Sequence, residues 1–475
     1  GLLDGTVVRP FEHDSEYQGR MDRRTRGVTG KLTWKLSEDL EFKSISNYTD
    51  MKMFYTEDGD AFPILVINFS NDVDYKQWSQ ELRLSGDGGI GRWQAGLYYL
   101  SIDFTGNNTF DGLVAANEGA RRGIITAPPG GFNPFNFPAG AATLGSRTLE
   151  STNWSVFAQD EFDFTDRLTG ILGVRWSQDD KKLLNHASYR DDNTPLTQYF
   201  DVLESIAASG DPAYANANKI NYGDYAARAQ LNFKATDDTL LFASYNRGIK
   251  GGNFSTGVSV SLPRLKHDEE VLHSFEIGVK TDIGDIARLN ATAFYYDYDG
   301  YQAFALTNVT PQITNTDARA KGAEIELYLA PAMHWNFVFG ASFEDSWVAE
   351  VLPINALEPL RGNELPNAPH YSFNFLGRYD WNVLGGNMAL QLDGVSYGHQ
   401  FLEVTNSEVS RENAYTVWNA SLAYVSPDDR WTLTAAVKNI GNEAYRLYDL
   451  DLGAVGTQAF YAPPRIVGFT ASYKF

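Results

Sequence analysis

The sequence predicts an all-β fold, a transmembrane antiparallel β-barrel, from three observations. The first is strict alternation. Phe275, Ile277 and Val279 are apolar while Ser274, Glu276, Gly278 and Lys280 are polar or small; beyond the turn at residues 283–287, Leu289, Ala291, Ala293 and Tyr295 alternate with Arg288, Asn290 and Thr292. Successive side chains of a strand point to opposite faces, so this is a hairpin with one oily and one wet side. The second is length: each strand runs for about ten residues, the reach needed to cross a bilayer at a tilt. The third is the spacing of connections, tight on one side and long on the other, the connection after Tyr301 being read as a long one.

Composition agrees. The 475 residues contain 14% aromatics and 42 Gly, and no apolar run approaches a membrane helix. Mean hydropathy is −0.33, as expected when oily residues alternate with lumen residues. The absence of cysteine removes disulfide, zinc-thiolate and cysteine-nucleophile chemistry. A net charge of −21 speaks against nucleic acid as a partner. The first residue is Gly1, so a barrel protein's signal is read as already removed or outside the sequence.

Taken in order, residues 1–27 read as a long, polar external loop. Strands then come in pairs about tight turns rich in Asp, Gly and Pro, as hairpins require. Arg26–Leu36 and Leu40–Tyr55 flank SED; Tyr75–Leu84 and Trp93–Phe104 flank GDGGIG; Asn153–Phe164 and Leu168–Lys182 flank TDR. Tyr222–Phe233 and Thr239–Tyr245 flank KATDD, and the hairpin already described follows. Ala320–Leu329 and Trp335–Trp347 flank APAM, Tyr371–Trp381 and Met388–Ser396 flank NVLGG, and Val417–Val425 and Trp431–Lys438 flank SPDD. Arg465–Phe475 stands last, with Val467, Phe469, Ala471, Tyr473 and Phe475 on one face, as a final lipid-facing strand with interfacial aromatics would have.

About seventeen strands result. Bacterial barrels have an even number with both termini periplasmic, so the tight turns are periplasmic and the first strand here descends. Residues 1–475 are therefore expected to be the C-terminal part of a barrel. The wet faces carry Arg228, Gln230, Asn232 and Lys234 together, Glu276 with Lys280, and Glu324 with Glu326. A basic residue facing lipid at the midplane costs about 2–4 kcal/mol, so these faces are expected to line a watery or protein-filled lumen.

Five segments in order, YNRGIKGGN, LHSFEIGVKTD with LNATAFYYDYDGYQ, ARAKGAEIELYLAP, AAVKNIGNEAY and PPRIVGFTASYKF, resemble the barrel of TonB-dependent outer-membrane receptors of Gram-negative bacteria. The resemblance implies a 22-strand barrel around an N-terminal plug with a short TonB-contacting box. Plug, box and first strands would lie outside this sequence. It also implies a multi-pass outer-membrane location and energy-coupled uptake of a scarce ligand, a ferric siderophore or similar iron complex first. The partners implied are TonB with its inner-membrane energising complex (through the plug), outer-membrane lipid and, from the terminal Phe475, the barrel-assembly machinery. No cofactor is implied. A passive diffusion porin and a structural or adhesive surface barrel are the alternatives.

No enzymatic constellation appears. His13, His186, His267, His273, His334, His370 and His399 are scattered without a metal-ligand spacing, and no metal site is read from them. YDYDG at Tyr296–Gly300 has carboxylates two apart but lacks the later ligands of a calcium loop. RGIKGGN leaves a strand with no helix after it, so it is not a phosphate loop. Ligand contacts are expected in two long loops. Asp111–Thr148 offers Arg121 and Arg122 for an anionic chelate and Phe132, Phe135 and Phe137 for stacking; His186–Asn221 offers Tyr199 and Phe200.

Overall fold

The protein is described by a computed structural model over residues 18–58, 68–88, 91–111, 142–191, 197–255, 262–307, 310–350, 360–451 and 457–475. Seventeen long strands form one antiparallel barrel wall in which each pairs with its sequence neighbour. They are β1 (Arg20–Lys35), β2 (Leu40–Asp58), β3 (Asn68–Gly88), β4 (Gly91–Asp111), β5 (Ala142–Thr165), β6 (Leu168–Asp191), β7 (Lys219–Lys234), β8 (Thr239–Lys250) and β9 (Glu270–Ile283). They continue as β10 (Ala287–Thr307), β11 (Thr310–Leu329), β12 (Trp335–Glu350), β13 (Tyr371–Val383), β14 (Gly386–Tyr397), β15 (Tyr415–Val425), β16 (Trp431–Lys438) and β17 (Ile466–Tyr473). A short strand, Thr197–Asp201, pairs with the far end of β6. Among the described residues β1 pairs only with β2 and β17 only with β16.

Register shows why the alternation was readable. Phe275 lies opposite both Tyr245 and Tyr295, and Ile277 opposite Ala243 and Ala293, so the oily residues of three strands fall in rows on one face. That face is exposed, with Ile277 63% and Phe469 73% accessible. Higher up, Tyr48 faces Trp78, Tyr99 faces Trp154 and Trp176 faces Tyr225, an aromatic row continued by Tyr245, Phe275 and Tyr295. Rings at a membrane–water boundary keep their bodies in the apolar layer. On the opposite face Glu276, Thr292 and Arg288 share a side with Arg228, Gln230, Asn232 and Lys234. Gln230 Nε2 donates to Asn232 Oδ1 at 2.7 Å, and Arg228 donates to Gln230, so the charges and amides form a ladder along one side of the wall.

Gly–aromatic pairing across strands has a steric cause. Gly278 lies opposite Phe242, whose ring covers it so closely that a Cβ there would come within 2.5 Å of the ring. Gly394 lies under the indole of Trp418 in the same way, at 2.4 Å. Each glycine provides a seat on which a large ring lies flat along the wall.

The tight turns fall where Asp, Gly and Pro predicted them. Between β13 and β14 only Leu384 (φ 52) and Gly385 (φ 76) remain outside the ladder, the two left-handed residues of a hairpin turn matched to sheet twist. The other strand ends needed correction. β5 and β6 have 24 residues each, about 80 Å at about 3.4 Å per residue, far beyond a bilayer crossing. β1 begins at Arg20, so the end of the presumed external loop is strand. Thr143–Thr148 and His186–Asp191, assigned to loops, are paired strand. The connection after Tyr301 is not long: β10 and β11 stay in register to Thr307 opposite Thr310 after a bulge between Tyr298 and Tyr301. Tyr296–Gly300 lies within β10, where Asp297 pairs with Arg319, so it is no calcium loop. Wall height is therefore uneven: β2–β6 have 19 to 24 residues, and β13–β17 have 8 to 13.

Candidate functional site

The wet face and the rim above it are the surfaces able to meet a solute. On β3–β6 the wet face carries cations seated on rings: Arg83 and Arg175 flank Phe157 at 5.9 and 5.7 Å, Arg175 also covers Tyr98 at 5.3 Å, and Arg147 covers Phe104 at 5.3 Å. Across β9–β12 it carries carboxylates. Glu276 accepts from the Tyr296 hydroxyl at 3.1 Å, Glu326 accepts from Asn290 at 3.3 Å, and Glu324 shares their side. The wet face is thus strongly polar, with guanidinium–ring stacks prominent on one wall and carboxylates on another, each interspersed with charges of the opposite sign such as Glu81 beside Arg83 and Arg288 beside Asp282.

Above the strands the rim is folded rather than loose where it is described. Residues 201–218 form helix α1 (Val202–Ser209), capped by Asp201, whose carboxylate accepts from Leu203 N and Glu204 N at 2.8 and 2.9 Å. Val202 and Ala217 pack with Leu183, Phe254 and Leu265 into a small core. Beside it the short hairpin of Asn253–Phe254 with Lys266–His267 buries His267, and burial together with Lys181 and Lys250 lowers that imidazole's pKa to about 4. On the low side of the wall, Arg446 holds three segments: its Nε donates to Glu412 Oε2 at 2.6 Å, one terminal nitrogen to Val409 O at 2.6 Å and Asp449 Oδ2 at 3.1 Å, and the other to Arg411 O.

One side-chain constellation has metal-ligand character. His370 precedes β13 and His399 follows β14; Ser372 lies opposite Tyr397, and Gly398 N donates to Tyr371 O at 2.9 Å, so continued register sets the two histidines across from each other on the lumen side. Their ring centroids are 5.6 Å apart. Glu364 enters from the preceding connection and places Oε1 3.1 Å from His370 Nε2. One ligating atom from each of the three lies within 4.8 Å of the others. Burial lowers the pKa of His370, but the Glu344 carbonyl and the Glu364 carboxylate outweigh it and hold the imidazole above its ordinary value. Spacing in the sequence gave no hint of this group, though the turn at Leu384–Gly385 did: both histidines stand fourteen residues from it.

The residues proposed from sequence fall elsewhere. Arg121, Arg122, Phe132, Phe135 and Phe137 lie outside the described residues. Tyr199 and Phe200 are on the short strand beside β6, with Phe200 opposite Ser188.

A family model described as TonB dependent receptor-like, beta-barrel, matches residues 4–440. Among solved structures, the ferric yersiniabactin uptake receptor FyuA from Yersinia pestis aligns with a TM-score of 0.71 at 19% identity, covering 96% of this chain and 62% of that one. The siderophore receptor PiuA from Acinetobacter baumannii aligns with a TM-score of 0.70 at 17% identity, covering 97% and 66%. The copper transporter OprC aligns at 0.68 and 13%, covering 96% and 65%. The chain thus spans slightly less than two thirds of the length of each of these structures, and at such identities the likeness shows the fold.

Proposed function

Since this chain belongs to the TonB-dependent receptors, β-barrel proteins of the Gram-negative outer membrane, we propose that it forms most of the wall of an energy-coupled importer for a scarce ligand. The observation that carries the reading is the family match over residues 4–440. The charged, hydrogen-bonded wet face and the apolar, ring-belted outer face are consistent with it. The wall itself does no covalent chemistry in this reading; it holds a ligand path, and motion comes from a plug domain pulled by TonB. The free edges of β1 and β17 are joined through further strands, and plug, TonB box and those strands belong to the full receptor. A ferric siderophore is the ligand class we favour: of the structures compared above, one is named a siderophore receptor and another a ferric yersiniabactin uptake receptor. The loop residues Arg121, Arg122, Phe132, Phe135 and Phe137, with Tyr199 and Phe200, are proposed to meet it from above.

The test is growth of an iron-starved, receptor-deficient host carrying the full-length receptor, supplied with one ferric siderophore at a time. Growth restored by one chelate class and abolished by deleting TonB is expected. Uptake that persists without TonB would instead identify a passive channel.

A further inference from the structure

We propose that Glu364, His370 and His399 form a binding site for a divalent first-row transition ion, with Zn2+ the best match, at the lumen side of the extracellular rim. The proposal is independent of which ligand the receptor imports. It starts from donor geometry. His370 Nδ1 lies 3.2 Å from the Glu344 carbonyl oxygen, an acceptor only, so Nδ1 carries a hydrogen and Nε2 is the nitrogen turned toward the cluster. Without an ion, Nε2 and Glu364 Oε1 are joined by a charge-assisted hydrogen bond at 3.1 Å, so the two donor atoms already converge, and a metal ion would take the place of the shared proton. For tetrahedral zinc with bonds of about 2.0–2.2 Å, neighbouring ligand atoms stand about 3.3–3.6 Å apart. The observed 3.1 Å is a few tenths short of that edge, within reach of a small side-chain movement, and the second imidazole supplies a third donor on the same side.

A second observation points the same way. Glu364 Oε2 is buried and has no hydrogen-bond partner, so the carboxylate presents an unmet charge within the cluster. Two imidazoles and one carboxylate are a borderline donor set that suits Zn2+, Cu2+ or Ni2+ over Mg2+ or Ca2+. Three protein donors also leave one position open to water or to a donor atom of an arriving solute.

The scaffold is fixed without using the ligating atoms. Glu364 N donates to Asn406 Oδ1 at 2.7 Å, Asn406 Nδ2 returns a bond to Glu364 O at 3.0 Å, and Asn363 Nδ2 donates to Val404 O at 3.0 Å. Asn367 N donates to Phe401 O at 2.9 Å, and Leu365 and Val404 pack against Ala318 and Val348. The donors are therefore held in place beforehand, and removing one leaves the rim folded.

The experiment is Zn2+ titration of the purified full-length receptor in detergent by calorimetry, with zinc-edge X-ray absorption on the loaded protein. Loss of even an outer-shell partner weakens metal sites by about 10–100-fold, so His370→Ala, His399→Ala and Glu364→Gln should each weaken binding by at least that factor. Two imidazoles per zinc should be seen in the parent and one in either histidine variant. His273→Ala, at an imidazole on the outer face, should bind as the parent does, and every variant should keep its folded mobility on unheated gels. Absence of saturable binding in the parent, or affinity unchanged in His370→Ala and His399→Ala, would overturn the proposal.

Discussion

Replacing Arg446 by Met should loosen the low side of the rim while leaving the strands intact. Met keeps most of the hydrophobic stem but removes the bonds to Glu412, Val409, Asp449 and Arg411. The guanidinium is 15% exposed, and its partners Glu412 and Asp449 are 11% and 1% exposed. Screening by solvent is therefore weak, and removing one member of such a buried pair costs about 3–5 kcal/mol, chiefly through the charge left behind. The connection can escape that cost by lifting off, its ladders being short: Arg446–Asp451 with Thr457–Tyr461, and Gln400–Phe401 with Arg411–Glu412. Even the lower figure corresponds to a population shift of about 100-fold. The assay is amide hydrogen exchange on the folded receptor. Protection at these two hairpins should fall by about two orders of magnitude, while β15 and β16 exchange as before. A Glu412→Gln, Arg446→Met double variant should lose less than the sum of the single changes. Unchanged exchange at the hairpins would show that Arg446 merely decorates an interface held by other contacts.

Acid should release the other rim element. His267 is depressed from 6.5 to about 4, so the unfolded segment binds a proton that the folded one refuses; docking stability is complete above pH 6.5 and falls by about 3 kcal/mol as pH drops to 4. Exchange corrected for intrinsic rate should rise at Asn253–Phe254 and Lys266–His267 over that window, and His267→Gln should flatten the profile. Gly394→Ala must lift the Trp418 indole and should cost about 1–3 kcal/mol of barrel stability; thermal gel-shift midpoints measure it, and Trp418→Leu in the same chain should recover some of the loss. Phe475→Asp places a charge at the end of the apolar face and should lower the amount of inserted receptor far more than the affinity of what inserts; normal outer-membrane levels would refute this. Shortening residues 112–141 should weaken ligand capture by about 2 kcal/mol, as loss of a few stacked anchors would, with barrel mobility on gels unchanged; equal affinity would place recognition elsewhere.

Legibility followed the demands of the membrane. Where the wall must present lipid on one side and water on the other, as at Phe275, Ile277 and Val279, alternation is compulsory, and side-chain facing could be read directly. Turn ends such as Leu384–Gly385 were legible because left-handed backbone restricts residue choice. Above the aromatic row one side of β10 and β11 packs on rim segments, as Ala303 and Ala318 do beside Leu365 and Val404, so alternation lapses and β10 could run on to Thr307 unnoticed. The Glu364–His370–His399 group was missed for a different reason. Its two histidines are remote in sequence and joined by strand register, which a motif search ignores but a count outward from the turn recovers. Glu364, on an irregular connection, had no such signal.

The uneven wall gives the two sides of the mouth different mechanical characters. On the side of β5 and β6 the height comes from uninterrupted ladder, with Ala142 still opposite Asp191 at the top. Bending that parapet inward means breaking consecutive backbone bonds, each useless until its neighbours also yield. On the side of β13–β17 the strands stop early, and short hairpins and side-chain ties such as Arg446 and Asn406 take over beyond them. Those ties can release separately, cluster by cluster. The described rim thus has a stiff bank on one side and a compliant one on the other, so any yielding of it would be one-sided rather than an iris-like dilation.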